Sequence, residues 1–252
     1  MGTALVTGAS SGIGETFARH LAYIGYNLIV VARREARLQA LADELPVDVQ
    51  IVVADLATED GIASVESAIA ECEDLAVLVN NAGFGYPKHF ADSDLATQLK
   101  MNHLHLDATL RLIYAAIPQM KQHHNGTIIN VASIGGLIPM PGSATYNATK
   151  AYLVSFSESL AIELGEYGIY VQVLCPGFTR TEIFEIAESP VSDSVPDILW
   201  LSTDEVVVAS LSAVSAKRHR VTPSIVYQIA WRLAQIPPIR RLIKEYTHRA
   251  IQ

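Results

Sequence analysis

The chain has 252 residues, 50% of them hydrophobic, and 18 Lys and Arg against 26 Asp and Glu give a formal net charge of −8, with a mean hydropathy of +0.26. Nucleic acid is excluded as an expected partner, because gripping a phosphate backbone needs a basic face and the only compact basic stretch is Lys217, Arg218, His219 and Arg220. Cys72, Cys175 and eight scattered histidines form no disulfide framework or metal-ligand set, the first residues lack a signal-peptide pattern, and no apolar run reaches the roughly 18 residues of a membrane span, so a cytoplasmic chain without metal is expected.

Short β-branched runs alternate with longer amphipathic ones. Thr3–Thr7 reads as a strand and Ile13–Ile24 as a helix, then Asn27–Ala32 as a strand and Glu35–Glu44 as a helix. Val47–Val53 is the third strand, Thr58–Cys72 the next helix, and Leu75–Asn80 the fourth strand. Asp92–His123 reads as one long helix, with Pro118 as its candidate break. Thr127–Ala132 and Ile169–Leu174 are strands flanking a helix over Ser143–Tyr167. This β-α-β-α order predicts an α/β fold, a doubly wound parallel sheet with helices on both faces and right-handed crossovers.

After Pro176 the rhythm changes. Residues 178–200 carry few periodic apolar positions, and a loop that long reads as a mobile substrate lid. Thr203–Ser215 is helical, with Ser202 or Thr203 as N-cap. Ser224–Gln235 is a largely apolar helix ended by Pro237 and Pro238, and Ile239–Ile251 is a last helix with basic and apolar faces. No repeat or Gly/Ser-rich linker divides the chain. One domain over 1–252 is expected, with a helical extension at 203–252.

Residues 7–14 read TGASSGIG, directly after the first strand and opening a helix. In that context a glycine pattern means dinucleotide binding. Gly8 permits the tight turn, Gly12 lets pyrophosphate approach the backbone, and Gly14 lets helix and sheet pack closely. The helix N-terminus adds N–H groups and positive partial charge. Arg33 follows the second strand, 19 residues after Gly14, where an NAD site would place an acid. A guanidinium there accommodates a 2′-phosphate instead, so Arg33, with Arg34 and Ser10 as companions, points to NADP. Arg34 equally suits a solvated helix start. Asp55 offers an acceptor for the adenine amino group, with Leu56 packing near the ring, although a helix-capping Asp fits as well. Asn80, Asn81, Ala82 and Gly83 follow the fourth strand, and ligands of open α/β sheets bind at that carboxyl edge.

Tyr146 and Lys150 lie four residues apart in YNATK, on one face of the expected helix. A cation there favours phenolate and lowers a phenol that ordinarily titrates near about 10. By itself the pair reads as a weak surface contact, and the rest of the sequence has to decide. With TGASSGIG, NNAG at 80–83, Ser133 after the fifth strand and YNATK together, the chain resembles the short-chain dehydrogenase/reductase family over about Thr3–Thr181. The match includes PGFTRT at 176–181, similar to the family's nicotinamide-side segment.

The resemblance implies a Rossmann-type sheet of about seven strands in the order 3-2-1-4-5-6-7. It maps the family's catalytic residues onto Asn102, Ser133, Tyr146 and Lys150, with 13 residues from Ser133 to Tyr146. It adds Ser11, Ile13, Pro176, Gly177, Thr179 and Thr181 to the cofactor-binding set, together with Tyr146 and Lys150. VASIGG surrounds Ser133 where many members carry two serines, which changes the pocket wall. The expected reaction interconverts a carbonyl and a secondary alcohol with NADP(H). Tyr146 passes the proton, Ser133 donates to the substrate oxygen, Lys150 binds ribose, and Asn102 holds a water.

Phe84, Tyr86, Ile134, Leu137, Ile138, Met140, Phe178, Phe184 and Ile186 should border the pocket and favour an apolar ketone or acyl-type carbonyl as the small-molecule substrate. A non-catalytic NADP-binding regulator and an NAD-dependent alcohol dehydrogenase are the alternatives. The stretch around Trp231 and Ile236–Lys244 offers a basic amphipathic surface for attachment as a further reading. A homodimer or homotetramer through the helices at 92–123 and 143–167 is implied by the family.

Overall fold

The structure, a computed structural model, describes residues 2–182 and 195–236. Seven parallel strands form one sheet: β1 (Thr3–Thr7), β2 (Asn27–Ala32), β3 (Val49–Val53), β4 (Leu75–Asn80), β5 (Gly126–Val131), β6 (Ile169–Leu174) and β7 (Arg220–Val221). Their order is β3-β2-β1-β4-β5-β6-β7. The helices are α1 (Gly12–Tyr23), α2 (Glu35–Glu44), α3 (Glu59–Glu71), α4 (Leu95–Asn102), α5 (Ala108–Gln122), α6 (Ala144–Leu164), α7 (Thr203–Ser215) and α8 (Ile225–Ala234). Among the described residues, no helix is long and apolar enough to cross a membrane.

The strands are apolar on both faces because both faces are covered. Ala4 and Val6 of β1 join Leu28 and Val30 of β2 against Phe17, Leu21 and Leu38 on one side. Leu5, Ile29 and Val31 face the other way, onto Ile62, Val65, Ile69, Leu112 and Met120. Period-two alternation along each strand thus feeds two cores at once.

Chain order reverses between β1 and β4, which opens a crevice at their carboxyl ends. Thr7, the last residue of β1, ties the two ends together. Its hydroxyl accepts from the Asn81 and Ala82 amides at 2.9 and 3.0 Å, and Asn81 Nδ2 donates back to the Thr7 carbonyl at 2.9 Å. The glycine turn and NNAG therefore form one wall.

Several expectations shift. The third strand begins at Val49, two residues later than its β-branched run suggested. The long helix over 92–123 is three pieces: α4, a π turn at His103–Asp107, and α5. In that turn the Ala108 amide bonds the His103 carbonyl, one residue further back than in an α-helix. Pro118 does not break α5. The carbonyl it leaves without a helical partner belongs to Tyr114, a residue 81% exposed, where water can serve it. Ser202, not Thr203, caps α7, in a reciprocal capping box with Glu205. The seventh strand that the family resemblance implied is β7, which starts at Arg220, the last residue of the basic stretch, and ends at Val221. Phe184, Ile186, the middle of the expected lid and the expected helix at 239–251 lie outside the described residues.

Candidate active site

Gly8 and Gly12 adopt φ of +69° and +59°, a region that side chains rarely enter. A Cβ on Gly14 would stand 2.3 Å from the Gly8 carbonyl oxygen, so the turn closes only with glycine there. Ser11 caps α1 with extended backbone and no side-chain cap bond. The first N–H groups of α1 are thus left to a ligand, and they suit an anion. Ile13 packs beside the turn, Leu56 is buried, and Asp55 closes its own turn through the Ala57 amide at 3.0 Å.

The arginine that reaches this turn is Arg34. Its Nη2 donates to Ser10 Oγ and Ser11 Oγ at 3.0 and 2.7 Å, and its Nε to Ser10 Oγ at 3.1 Å. Arg33, preferred from its position after the second strand, is exposed. Both arginines lie past the end of β2, in the turn before α2, and the packing of that turn against Ser10 and Ser11 is what engages Arg34.

Asn80 is 6% exposed and faces the sheet interior, where its Nδ2 donates to Asn130 Oδ1 at 2.9 Å. Asn130 Nδ2 continues to Ser157 Oγ at 2.9 Å. Ala82 instead packs against the glycine turn, its Cα 3.1 Å from where a Cβ on Gly8 would lie, and Gly83 packs against the His105 ring. On the far side, the Pro176 carbonyl accepts from the Ile134 amide at 2.8 Å. Thr179 is buried and pairs in a short bridge with Leu201, and Thr181 lies over Gly12. Gly177 leaves room for the Tyr227 ring, whose Cε2 would sit 2.0 Å from an added Cβ.

Ser133, Tyr146 and Lys150 converge at the end of β5. Ser133 Oγ accepts from the Gly135 amide at 3.0 Å. With that acceptor position filled, its own proton is free to donate. Ser133 Oγ and Tyr146 Cε1 each stand 3.5 Å from where a Cβ on Gly135 would lie, so the two hydroxyl-bearing side chains are neighbours. Lys150 is 5% exposed and donates Nζ to the Val131 carbonyl at 2.8 Å, with Nζ 5.7 Å from the centre of the Tyr146 ring. Asn102 ends α4 where the π turn begins.

The electrostatics differ from the simple picture of a cation lowering a phenol. Burial pushes the Tyr146 phenol above its ordinary value, and the neighbouring Ser133 hydroxyl draws it back only in part. Burial also pulls the Lys150 ammonium down to about 8. In the protein alone, desolvation sets the direction for both groups.

His105, set aside on sequence as one of several scattered histidines, is 1% exposed and stacks edge-on to Tyr146 at 5.9 Å between ring centres. The π turn aims it inward, and no sequence pattern announces a π turn. Tyr227 and Glu182 were likewise missed, because their partners lie 28 to 49 and 145 to 148 residues away.

Residues 2–190 match the short chain dehydrogenase family. A very-long-chain 3-oxoacyl-CoA reductase of Coprinopsis cinerea is 32% identical over 253 residues, covering 97% of this chain and 75% of that protein. Among solved structures, a short-chain dehydrogenase from Sphingobium yanoikuyae in complex with NADPH has a TM-score of 0.85 and 34% identity, over 96% of this chain and 95% of that one. A bulky-bulky ketone specific alcohol dehydrogenase from Comamonas testosteroni has a TM-score of 0.81 and 32% identity, over 96% and 93%. The chain belongs to the short-chain dehydrogenase/reductase family. It is an oxidoreductase that acts on CH–OH and carbonyl groups of a small molecule, and its family uses a nicotinamide cofactor.

Proposed function

We propose that this enzyme is an NADP(H)-dependent reductase of apolar ketones or acyl-chain carbonyls, with Tyr146 as general acid in reduction and general base in oxidation. The observation that carries the reading is the convergence of Ser133 and Tyr146 at Gly135, past the end of β5, with a buried Lys150 one turn below Tyr146. Two hydroxyl protons then converge on one point, where a carbonyl oxygen fits between them.

A nicotinamide held by the glycine turn and Lys150 would supply hydride chemistry at the carbonyl carbon, in either direction. The Ser133 proton stabilises negative charge as it grows on the oxygen. Tyr146 delivers its proton to that oxygen and recovers one through the buried side of the site. Lys150 has two N–H donors to offer the cofactor's ribose, since among the described residues only the Val131 carbonyl engages its ammonium. Asn102, at the end of α4, would hold a water on the same relay.

Cofactor binding by Gly8, Ser10, Ser11, Gly12, Ile13 and Gly14 is favoured by the positive-φ glycines and the uncapped start of α1. Arg34 favours NADP over NAD, because its guanidinium already addresses the two serines at the turn. Leu56 and Ala82 suit the adenine and ribose sides, and Pro176–Thr181 the nicotinamide side. The apolar substrate class rests on Ile134, Leu137, Ile138 and Phe178, which pack together beside the site, and on relatives named for long acyl chains and bulky ketones.

The test is turnover. Purified protein should oxidise NADPH with a graded set of ketones and 3-oxoacyl thioesters. Tyr146→Phe should lose about 10²–10⁴-fold in kcat while binding NADPH almost normally. Full turnover by that variant would refute the assignment.

A further inference from the structure

Beyond the cofactor-binding residues stands a carboxylate that the proposed reaction does not use. Glu182 Oε2 accepts from Arg34 Nη1 at 2.8 Å, and its Oε1 accepts from Arg37 Nη1. The two guanidiniums hold this carboxyl well below its ordinary range, at about 2. Glu182 is therefore an anion at every physiological pH. Its position is fixed by the chain that precedes it. Thr179 bridges to Leu201, the Arg180 amide bonds the Leu201 carbonyl at 2.9 Å, and the Thr181 methyl lies over Gly12. The segment thus lays a negative charge beside the glycine turn, on the side where Arg34 touches Ser10 and Ser11.

A phosphate monoester is a dianion whose oxygens want the same donors. Arg34 Nη1 and Arg37 Nη1 cannot serve Glu182 and a phosphate with full strength together. A carboxylate kept close to a bound phosphate would also repel it. We infer that Glu182 competes with the cofactor's 2′-phosphate for Arg34 and Arg37, and so sets how strongly the enzyme distinguishes NADPH from NADH. The inference rests on the NADP reading above. It assigns the selectivity of that site to an acidic residue 148 positions away in sequence from Arg34.

The experiment is a fluorescence or calorimetric titration of NADPH and NADH into wild type, Glu182→Gln, Glu182→Asp and Arg34→Ala. Half-exposed ion pairs of this kind each contribute modestly, so Glu182→Gln should tighten NADPH about three- to tenfold. NADH should move by less than about twofold, because it carries no 2′-phosphate. Glu182→Asp should stay near wild type on both cofactors. If Glu182→Gln leaves NADPH unchanged or weakens it, or tightens NADH equally, the competition is overturned. The Arg34→Ala arm separates the two levels. Should wild type prefer NADPH and Arg34→Ala erase that preference while Glu182→Gln does nothing, only the competition fails. Should wild type bind both cofactors alike and Arg34→Ala change neither, the NADP reading itself falls.

Discussion

His105 Nδ1 lies 2.9 Å from Thr149 Oγ1, and this contact fixes the protonation of the histidine. Thr149 donates its only hydroxyl proton to the Tyr146 carbonyl at 2.9 Å, so it accepts from His105. Nδ1 therefore carries the hydrogen. Nε2 is bare and accepts from the Phe84 amide at 3.2 Å. Burial, with the Lys150 charge nearby, keeps His105 neutral well below its ordinary range. One imidazole thus joins the loop after β4 to the helix that carries Tyr146.

A first expectation is a loss of stability toward acid. The unfolded His105 takes up a proton near 6.5, whereas the folded one resists until well below that. Its contribution is fully present above pH 6.5 and is lost as pH falls toward the depressed folded value. The wild type should show up to about 1.4 kcal/mol less stability per pH unit in that window from this residue. Urea melts of wild type and His105→Asn between pH 7 and pH 5 measure the difference in slope. His105→Leu, which strands the Phe84 amide and frees Thr149, should cost about 2–5 kcal/mol at neutral pH.

Lys150 gives a signature of the same sign at higher pH. Its folded value of about 8 lies below the ordinary 10.5, so between those limits the unfolded chain holds more protons. Stability of the protein without cofactor should therefore rise with pH from 8 to 10.5. Lys150→Met should flatten that rise and melt higher than wild type at pH 7, because a poorly paired buried charge is removed. The same variant should have no measurable turnover. A lower melting temperature for Lys150→Met would show that the ammonium is well compensated in its site.

The two neighbouring arginines should separate cleanly. Arg34→Ala is expected to weaken NADPH by about 10- to 100-fold, the range of a lost charge-assisted contact. Arg33→Ala should change it by less than about threefold, since an exposed side chain without a fixed partner contributes little. Steady-state KM for NADPH in the two variants tests this, and equal effects would return Arg33 to the site.

Association of subunits can be tested on the surface. Leu95 and Leu99 sit one turn apart on α4 at 62% and 57% exposure, Tyr114 on α5 is 81% exposed, and Ile162 on α6 is 84% exposed. Large apolar side chains so placed suit contact between copies. Leu99→Glu combined with Ile162→Glu should shift the protein to a smaller species by light scattering. An unchanged mass would place the interface elsewhere.

The covered parallel sheet, the glycine turn and the stacking of Tyr146 over Lys150 followed from the sequence, because each is written in short-range pattern, while the strand order and the place of Ser133 beside them were implied by the family resemblance. Alternating apolar runs demand a covered sheet, Gly8 and Gly12 are needed where backbone turns through positive φ, and a spacing of four stacks Tyr146 over Lys150. Tertiary structure alone decided which arginine meets Ser10 and Ser11, that Glu182 returns to them, and that a π turn drives His105 against Thr149. It also reversed the direction expected for the Tyr146 phenol. Burial sets that direction, and burial is a property of what the rest of the chain packs around a group, which no local spacing encodes.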